Sequence, residues 1–557
     1  MTLLRCLVPI LFVVFLPARA AEPPSRAAVA SAHPLASAAG MEVMDAGGNA
    51  FDAAVAVSAA LTVVVPNGSG LGGGGFWLLH RAEDRFETFV DGRERAPLAS
   101  SADMYLDENG APITKASREG PLAAGVPGLP AALVHMAETY GALPLAQNLA
   151  PAIRLAREGY PVYPRLRTGL TARRDLLARS PAAAEVFLVD GEVPELGHAI
   201  VQPRLAETLE RIAEEGHDGF YRGTVAEALV AGSRGGGGIW TLDDFAAYEV
   251  VEREPIVANW RGMRALMAPP PSSGGVAMAN MFQILSAYEF ERYSRLEQVH
   301  LLVEAMRRAY RDRAIYLGDP DFVDVPVERL THPFYASGQR ASIRLDRATP
   351  SASLPGFTVV SGGDQTTHFS VLDTDGNRVA GTQSLNSWFG SGYMEPKTGV
   401  MLNNEMDDFS VKPGVQNLYQ LVGARANAIA PGKRMLSSMS PTILESEQGV
   451  AILGTPGGSR IITMVLLATL EWMRGGDAGA MVSLPRFHHQ YLPDKLFHEP
   501  DAFTAEELAA LKELGHVPSE VSRFYGNMQV VTWDFATGEV EAASDPRGQG
   551  DAKVRVY

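Results

Sequence analysis

The chain has 557 residues, of which 46% are apolar and 20% are charged, and it contains 55 glycines and 37 prolines. This composition excludes collagen-like, coiled-coil and intrinsically disordered proteins, and the length allows two to four domains of about 100–200 residues each. The formal net charge of −16 argues against nucleic-acid binding, because phosphate backbones are bound by basic surfaces.

The first twenty residues have the pattern of a secretory signal peptide. Arg5 precedes an apolar run over 6–16, and Ala18-Arg19-Ala20 then fits a small-x-small cleavage site. The apolar run is shorter than the about 20 residues that a transmembrane helix needs. We therefore predict that residues 1–20 are cleaved off and that no membrane anchor remains; a retained anchor is the alternative.

Cys6 is the single cysteine, and it lies in this segment. The exported protein is then expected to have no thiol and no disulfide, which excludes cysteine nucleophiles and cysteine-ligated metals. A large secreted protein without disulfides suits the bacterial periplasm, which is the predicted location.

The first half of the mature chain is predicted to be mainly helical. Two helices are expected within 35–64, broken at Gly47-Gly48, and the second is apolar nearly all round, which is typical of a buried helix. Strand-like runs follow within 76–90. Residues 120–260 are predicted to be mostly helical, and an amphipathic helix is expected at about 296–317.

The last third of the chain is predicted to form strands. After an exposed connection over 335–363, apolar and polar residues alternate from 366 to 371. Asp375-Gly376 marks a hairpin turn into a strand over about 379–385, and Thr537-Gly538 marks a second hairpin. Hairpins combined with long buried helices predict sheets that are covered by helices on their outer faces.

Two motifs are better explained by structure than by ligand binding. Gly68, Gly70 and Gly73 match a GxGxxG pattern, but a helix precedes them and strands follow, which is the wrong order for a dinucleotide site. Close backbone packing, which glycine permits, is the better interpretation. His488-His489 would point to opposite faces of an extended chain, so we expect structural histidines, no metal and no cofactor.

The most informative position is Thr366, where the exposed connection enters a strand. A threonine at a new N-terminus carries a nucleophilic hydroxyl and an α-amino base, whose ordinary pKa is about 7.7–8.0. Strand propensity alone also places threonine at this kind of position. The turn over 454–459 could expose N–H groups to an oxyanion, although it could equally be an ordinary turn before a helix. Arg93 could bind a carboxylate, but taken alone a solvated charged turn is the better explanation.

Taken together and in their order, the motifs resemble those of the gamma-glutamyltranspeptidase family, within the N-terminal nucleophile hydrolase superfamily. The resemblance extends from about Ser31 to the C-terminus. Its motifs lie at 39–54, 72–75, 125–128, 269–275, 316–322, 365–370, 403–409, 436–441, 454–459, 486–489 and 544–547.

The resemblance implies an α+β fold, a four-layer αββα sandwich, made as an inactive precursor of one domain. Thr366 would cut the chain at Gln365–Thr366, which leaves a large subunit (21–365) and a small subunit (366–557) as a heterodimer. Thr366 would then attack the γ-carbonyl of glutathione or another γ-glutamyl compound. The resulting ester would pass its glutamyl group to water or to an amino acid or peptide.

The resemblance also assigns roles around Thr366. Two N–H groups would hold the oxyanion, two hydroxyls would orient Thr366, and opposed charge clusters would read the α-carboxylate and the α-ammonium of the glutamyl group. The catalytic residues would be Thr366, Gly457, Gly458, Thr382 and Ser384; the carboxylate ligands Arg93, Ser437 and Ser438; and the ammonium ligands Asn386, Glu405 and Asp408. The segment Val411–Leu421, with Tyr419, resembles a lid over the glutamyl group.

This sequence departs from the family pattern at two positions. Ser384 stands where threonine is common, so that the hydroxyl is kept and one methyl is lost. Glu405 stands where some members have glutamine, which should keep or strengthen ammonium binding.

Two other functions remain open from the sequence. A glutaryl or cephalosporin acylase of the same fold needs no ammonium pocket, so Asn386, Glu405 and Asp408 count against it. A non-catalytic exported binding protein would show no chain cleavage and no amidase activity. The sequence does not define the balance between hydrolysis and transfer, the natural donor and acceptor, or the higher oligomeric state.

Overall fold

The computed structural model describes residues 22–354, 366–412 and 414–557. The predicted signal peptide and Gln365 lie outside these ranges. The strands are β1 Ala27–Ser31, β2 Gly74–Arg81, β3 Phe86–Gly92, β4 Tyr160–Pro161, β5 Ala199–Ile200, β6 Val251–Arg253, β7 Ile256–Trp260, β8 Met263–Met267, β9 Thr367–Leu372, β10 Arg378–Ser384, β11 Thr442–Glu445, β12 Gly449–Gly454, β13 Phe487–His488, β14 Leu496–His498, β15 Pro518–Glu520, β16 Gln529–Asp534, β17 Val540–Ser544 and β18 Asp551–Arg555.

The α-helices are more numerous in the part of the chain before residue 355. They are α1 Pro34–Asp45, α2 Ala50–Val64, α3 Leu129–Tyr140, α4 Leu145–Glu158, α5 Pro164–Leu177, α6 Pro181–Phe187, α7 Pro203–Glu215, α8 Asp218–Tyr221, α9 Gly223–Gly235, α10 Leu242–Ala246, α11 Gly274–Leu285, α12 Arg295–Tyr316, α13 Val327–Thr331, α14 Pro333–Arg340, α15 Ile461–Met473, α16 Ala478–Ser483 and α17 Ala505–Glu513.

Two large sheets form the centre of the molecule. A seven-stranded sheet has the order β18-β1-β9-β10-β2-β3-β6, and a six-stranded sheet has the order β17-β16-β12-β11-β8-β7. Neighbouring strands within both sheets are antiparallel. Strands from before residue 355 and from after residue 365 pair with each other in both sheets, so neither part forms either large sheet alone.

The sheets pack face to face between two layers of helices. Strands β9 and β10 contact β12 and β16 of the other sheet, α1 and α2 cover the seven-stranded sheet, and α11 and α15 cover the six-stranded sheet. Alternation along β2 shows why this arrangement forms, since successive strand residues point to opposite faces. Phe76 and Leu78 belong to the core that includes the second sheet, whereas Trp77 and Leu79 belong to the core that includes α2. The predicted αββα sandwich is confirmed.

Several local predictions are also confirmed. The hairpins at Asp375-Gly376 and Thr537-Gly538 join β9 to β10 and β16 to β17. Helices α1 and α2 are separated at Gly47-Gly48, and every residue of α2 is buried. A Cβ atom on Gly73 would collide with the carbonyl oxygen of Ser384, so the glycine run serves close backbone packing.

The prediction of an irregular connection over 335–363 is wrong for the first part of this segment. Helix α14 continues to Arg340, because Pro333 and the His332 side chain, which accepts from Phe334 N–H, form a helix start. Residues 355–363 lie outside the described ranges. In the ranges that are described, no helix is long and apolar enough to cross a membrane.

Candidate active site

A narrow cleft at the end of the central sheets gathers side chains from both parts of the chain. The strands β9 and β10 bring Thr366 and Ser384 to the cleft, and Ile461, the first residue of α15, also lines it. The residues that line it are Arg93, Arg313, Thr366, Ser384, Asn386, Glu405, Asp408, Tyr419, Leu421, Ser437, Ser438, Met439, Gly458 and Ile461. Most of the side chains predicted from the sequence therefore meet in one place.

Thr366 directly precedes β9 and is 8% exposed. Alternation puts Thr366, His368 and Ser370 on the strand face that looks toward the second sheet. The buried His368 ring bridges two hydroxyls, with Nδ1 2.7 Å from Thr382 Oγ and Nε2 3.2 Å from Ser370 Oγ. Burial lowers the pKa of His368 to about 3, so this ring is neutral. Thr382 is thus buried and bonded to His368, and it does not line the cleft.

The turn after β12 places backbone N–H groups beside the cleft. Gly457 and Gly458 have φ values of 143° and 57°, which favour glycine. A Cβ atom on Gly458 would collide with the Tyr419 ring. Among the described residues neither N–H has a hydrogen-bond partner, and the turn leads directly into α15, whose N-terminal end carries partial positive charge. This arrangement can stabilise an oxyanion.

Arg93 is fully buried and lies among three carboxylates. Its guanidinium is 2.7 Å from Glu405 and 2.7 Å from Asp408, and 3.4 Å from Glu94. Its Nε donates to the carbonyl of Met435 at 3.2 Å. The cationic and anionic groups that were predicted to bind opposite ends of an amino-acid head group are therefore in direct contact in this structure.

The carboxylates around Arg93 are more basic than usual. Burial raises the pKa of Glu94 and of Glu405 to about 7 and that of Asp408 to about 8, although the Arg93 charge opposes the shift in each case. One oxygen of Glu94 and one of Glu405 are buried without a hydrogen-bond partner among the described residues. Excess negative charge of this kind is stabilised by an additional cation.

Asn386 lies in the loop between β10 and the short helix Glu405–Asp408, and two hydrogen bonds fix it. Its backbone N–H donates to Ser384 Oγ at 2.7 Å, and its side-chain amide donates to the carbonyl of Asn404 at 2.9 Å. Asn403 accepts from the N–H of Glu405 at 3.0 Å and so holds the start of the short helix Glu405–Asp408. These bonds position a carbonyl oxygen and two carboxylates on one side of the cleft.

Ser437, Ser438 and Arg313 also line the cleft. Arg313 comes from α12 and is buried, and its guanidinium donates to Ser273 Oγ at 3.0 Å and to Ser438 Oγ at 3.2 Å. Burial lowers its pKa to about 10, which leaves it charged at neutral pH. Sequence reasoning missed Arg313, because α12 contains several buried charged residues and nothing in their spacing marks this one.

Tyr419 covers the cleft. Its hydroxyl donates to the carbonyl of Asn386 at 2.7 Å, and its ring packs against Gly458. Two acidic residues hold the neighbouring segment: Asp407 accepts from the N–H of Leu418 at 2.7 Å, and Asp408 accepts from the Asn417 side chain at 3.2 Å. The covering segment is therefore bonded to the short helix Glu405–Asp408, which also supplies the carboxylates of Glu405 and Asp408.

Three predicted site residues do not line the cleft. Thr382 is bonded to His368, Gly457 lines a neighbouring cavity, and Gln365 lies outside the described residues. His488 and His489 have separate partners, with His488 Nδ1 2.9 Å from Thr463 Oγ and His489 Nε2 3.1 Å from Asp494. Across the described ranges, no group of three or more His, Cys, Asp or Glu side chains is placed to hold a metal ion.

Comparisons with known proteins agree with this architecture. The family model described as gamma-glutamyltranspeptidase matches residues 36–555. The chain is 41% identical over 544 residues to the glutathione hydrolase proenzyme of Escherichia coli, which covers 97% of this chain and 92% of that protein.

Two solved structures extend the comparison to the fold. Cephalosporin acylase from Bacillus halodurans is 28% identical with a TM-score of 0.83, over 98% of this chain and 99% of that chain. Gamma-glutamyltranspeptidase of Helicobacter pylori is 39% identical with a TM-score of 0.57, over 58% of this chain and 93% of that chain. This protein, an αββα sandwich of the N-terminal nucleophile hydrolase type, belongs to the gamma-glutamyltranspeptidase family of enzymes.

Proposed function

We propose that this chain is the precursor of a γ-glutamyltransferase and glutathione hydrolase that is activated by cleavage between Gln365 and Thr366. The observation that carries the proposal is the cleft, which places Thr366 next to a buried cluster of opposite charges and to the Gly458 N–H. Its relative in Escherichia coli is a proenzyme and glutathione hydrolase by name.

Cleavage would leave a large subunit, 21–365, and a small subunit, 366–557. The sheet order supports a stable heterodimer, because β9 and β10 of the small subunit lie between β1 and β2 of the large subunit. In the second sheet, β11 of the small subunit pairs with β8 of the large subunit. The two chains would remain joined by hydrogen bonds in both sheets after the peptide bond is cut.

In the proposed reaction the freed α-amino group of Thr366 takes the proton of the Thr366 hydroxyl as the oxygen attacks the γ-carbonyl carbon. The N–H groups of Gly457 and Gly458 stabilise the negative oxygen of the tetrahedral intermediate. When the carbon–nitrogen bond breaks, the Thr366 ammonium returns the proton to the leaving amine. A γ-glutamyl ester remains on Thr366.

The second half of the reaction repeats these steps with a new nucleophile. Water, or the amine of an amino acid or peptide, gives its proton to the Thr366 α-amino group and attacks the ester carbonyl carbon. The Thr366 oxygen leaves and recovers a proton. Water yields free glutamate, whereas an amine yields a new γ-glutamyl amide.

Specificity for the γ-glutamyl group would come from the charged residues of the cleft. The α-carboxylate would meet Arg93, Ser437 and Ser438, and the α-ammonium would meet Asn386, Glu405 and Asp408. Because Arg93 now pairs with Glu405 and Asp408, a bound zwitterion would insert its two charges between theirs. Each charge of the ligand then meets an opposite charge that the protein has already desolvated.

The second candidate is an acylase that releases glutaryl groups, and its support is the likeness to cephalosporin acylase of Bacillus halodurans. A glutaryl group lacks the α-ammonium, so it would leave the negative charge of Glu94, Glu405 and Asp408 uncompensated. This charge balance favours the γ-glutamyl donor.

The test compares the rates at which the purified, processed protein hydrolyses L-γ-glutamyl anilide and glutaryl anilide, which differ only in the α-amino group. A site with buried acceptors for an ammonium should favour the glutamyl compound by up to about 10⁴-fold in kcat/KM. Equal rates or a glutaryl preference would replace the proposal with the acylase. Absence of cleavage of both compounds by a processed chain would contradict both.

Export to the periplasm belongs to the same proposal and is supported by the signal-like segment 1–20. N-terminal sequencing of both subunits from cell fractions tests it. The expected N-termini are Ala21 for the large subunit and Thr366 for the small subunit, both in the periplasmic fraction.

A further inference from the structure

A second cavity, of about 310 Å³, opens beside the cleft. The cleft and this cavity share the turn after β12, which we call the oxyanion turn. Gly458 of this turn lines the cleft and Gly457 lines the cavity. The other walls come from the start of α5, from Trp388 and from the segments 523–526 and 547–549. We call this cavity, with Arg165, Trp388, Gly457, Arg523 and Phe524 at its wall, the arginine groove.

Two arginines of the groove are not in an ion pair in the described part of the chain. Within the described residues, neither Arg165 nor Arg523 forms an ion pair or a side-chain hydrogen bond, whereas the third arginine, Arg547, is 2.8 Å from Glu499 and 3.2 Å from Asp545. Burial lowers the pKa of Arg165; Tyr163 and the Asp545 carboxylate oppose this shift, and the like charge of Arg523 adds to it. Both arginines line the same cavity. Such a pair is unexpected in a chain of net charge −16.

The rest of the groove is also suited to an anion with an organic body. Helix α5 begins at Pro164 without a side-chain cap, so its partly positive N-terminal end is open toward the cavity. The guanidinium of Arg523 lies 5.5 Å from the centre of the Trp388 ring, and Phe524 is 49% exposed. Aromatic faces and fixed positive charges together bind amino acids and short peptides through their side chains and terminal carboxylate.

We propose that the arginine groove binds the terminal carboxylate of the leaving amine, and of the acceptor amine, one or two residues beyond the amide nitrogen. The proposal rests on the proposed function, since it concerns the other side of the same amide bond. Because Gly458 lines the cleft and Gly457 lines the groove, a leaving group that extends from the cleft past this turn would enter the groove. Two extended residues span about 7 Å, which brings a dipeptide carboxylate beyond the turn and into the groove.

Donor and acceptor would use this groove alternately. The attack of an acceptor amine on the glutamyl ester is the reverse of the departure of the leaving amine, so both amines occupy the same position at the reacting carbon. A free amino acid would place its carboxylate near the mouth of the groove, and a dipeptide would reach further in. Water needs no such contacts.

The experiment uses the processed heterodimer and two donors that differ only at the far end, glutathione and glutathione with its terminal carboxylate converted to an amide. A hydrogen bond to a charged group predicts that kcat/KM is about 10-fold higher for glutathione. The double variant Arg165→Gln/Arg523→Gln should lower this ratio to about 1. Glycylglycine and glycylglycinamide as acceptors should show the same change in the rate of transfer.

Arg167→Gln is the matched control, because Arg167 lies on the same helix but donates to Pro194 and Glu195, away from the groove. In this variant the ratio of kcat/KM for glutathione to kcat/KM for its amide should equal that of the unmodified enzyme. The double variant Arg165→Lys/Arg523→Lys retains both positive charges and should keep part of the ratio that the double glutamine variant loses. Subunit cleavage shows that each variant has folded.

Two outcomes would overturn the assignment of the groove alone: equal kcat/KM for the two donors in the unmodified enzyme, or an unchanged ratio in the double variant. An enzyme that cleaves γ-glutamyl anilide but ignores the terminal carboxylate still has the proposed function. Failure to cleave every γ-glutamyl donor would remove the proposed function, and the role of the groove with it.

Discussion

The cleft and the arginine groove lie on either side of one glycine turn, and they differ in whether their arginines are paired with carboxylates. In the cleft, Arg93 is buried and pairs with two carboxylates at 2.7 Å. In the groove, Arg523 is exposed and stacks over Trp388 without a carboxylate in the described structure. One region has its charges already paired, whereas the other offers unpaired positive charge.

This difference corresponds to two kinds of recognition. Buried and paired groups reject a ligand that lacks one of the expected charges, because a desolvated partner is then left alone. Arg523 is exposed, so water and salt screen its charge, and a missing carboxylate costs less there than in the cleft. We infer strict selection of the γ-glutamyl head group and broad tolerance for the leaving and accepting amines.

The largest effect is expected at Thr366, which lines the cleft. Thr366→Ala removes the hydroxyl that attacks both the Gln365 peptide bond and the substrate, so the chain should stay in one piece. Activity toward every γ-glutamyl donor should fall by at least about 10⁴-fold. Electrophoresis and the anilide assay measure the two results. Thr366→Ser, which keeps the hydroxyl, should still be cleaved and active; cleavage of the alanine variant at the same bond would contradict the assignment.

Asp408→Asn should alter the cleft and leave the groove intact. The substitution removes one carboxylate that is expected to face the α-ammonium, so kcat/KM for γ-glutamyl anilide should fall about 100-fold while glutaryl anilide changes little. The preference for glutathione over its amide should persist.

Asp407→Asn is the matched control for this prediction. Asp407 belongs to the same short helix but bonds Ser117 and the backbone of Leu418 and does not line the cleft. Its loss should loosen the covering segment and slow both anilides alike. A similar loss of selectivity in both variants would show that Asp408 acts through the fold.

The pH dependence should also separate the two regions. A carboxyl whose pKa is raised is neutral below that pKa, so Glu405, at about 7, and Asp408, at about 8, gain their full negative charge only as pH rises through these values. The ratio of kcat/KM for glutamyl over glutaryl anilide should therefore increase by about 10-fold between pH 6 and pH 9. Titration of the Thr366 amine affects both donors and cancels in the ratio.

The preference for glutathione over its amide should change little over the same pH range, since arginines stay charged. A flat glutamyl-to-glutaryl ratio would show that the acidic groups of the cleft do not read the ammonium.

The sequence alone was sufficient to predict sheets covered by helices, because the apolar run within β2 and the apolar composition of α2 are local signals, whereas the four-layer order came from the resemblance to a family. The hairpin turns were equally readable from Asp375-Gly376 and Thr537-Gly538. The start of α14 was missed, since the capping role of His332 depends on a side-chain orientation that composition does not reveal.

The site shows a sharper limit of sequence reasoning. Residue by residue, Arg93 and Thr366 had ordinary explanations, and only the resemblance to a family collected them into one site. Arg313 and the pair formed by Arg165 and Arg523 come from separate helices and loops, and their meeting depends on tertiary packing. The direct contact of Arg93 with Glu405 could not be predicted either, since it depends on how deeply both side chains are buried.

The smallest effect is expected from Tyr419→Phe, which tests how firmly the cleft is covered. The variant keeps the ring that packs against Gly458 and loses the hydroxyl that donates to the carbonyl of Asn386 at 2.7 Å. A single hydrogen bond contributes about 0.5–1.5 kcal/mol, so KM for γ-glutamyl anilide should rise about 3- to 10-fold with little change in kcat.

Tyr393→Phe is the matched control, because the Tyr393 hydroxyl also donates to a backbone carbonyl, that of Gly232 at 3.0 Å, and Tyr393 does not line the cleft. A cover that acts only on the glutamyl side should leave the preference for glutathione over its amide intact; if that preference falls together with the affinity, the cleft and the groove are not independent, and Tyr419 links them through the glycine turn.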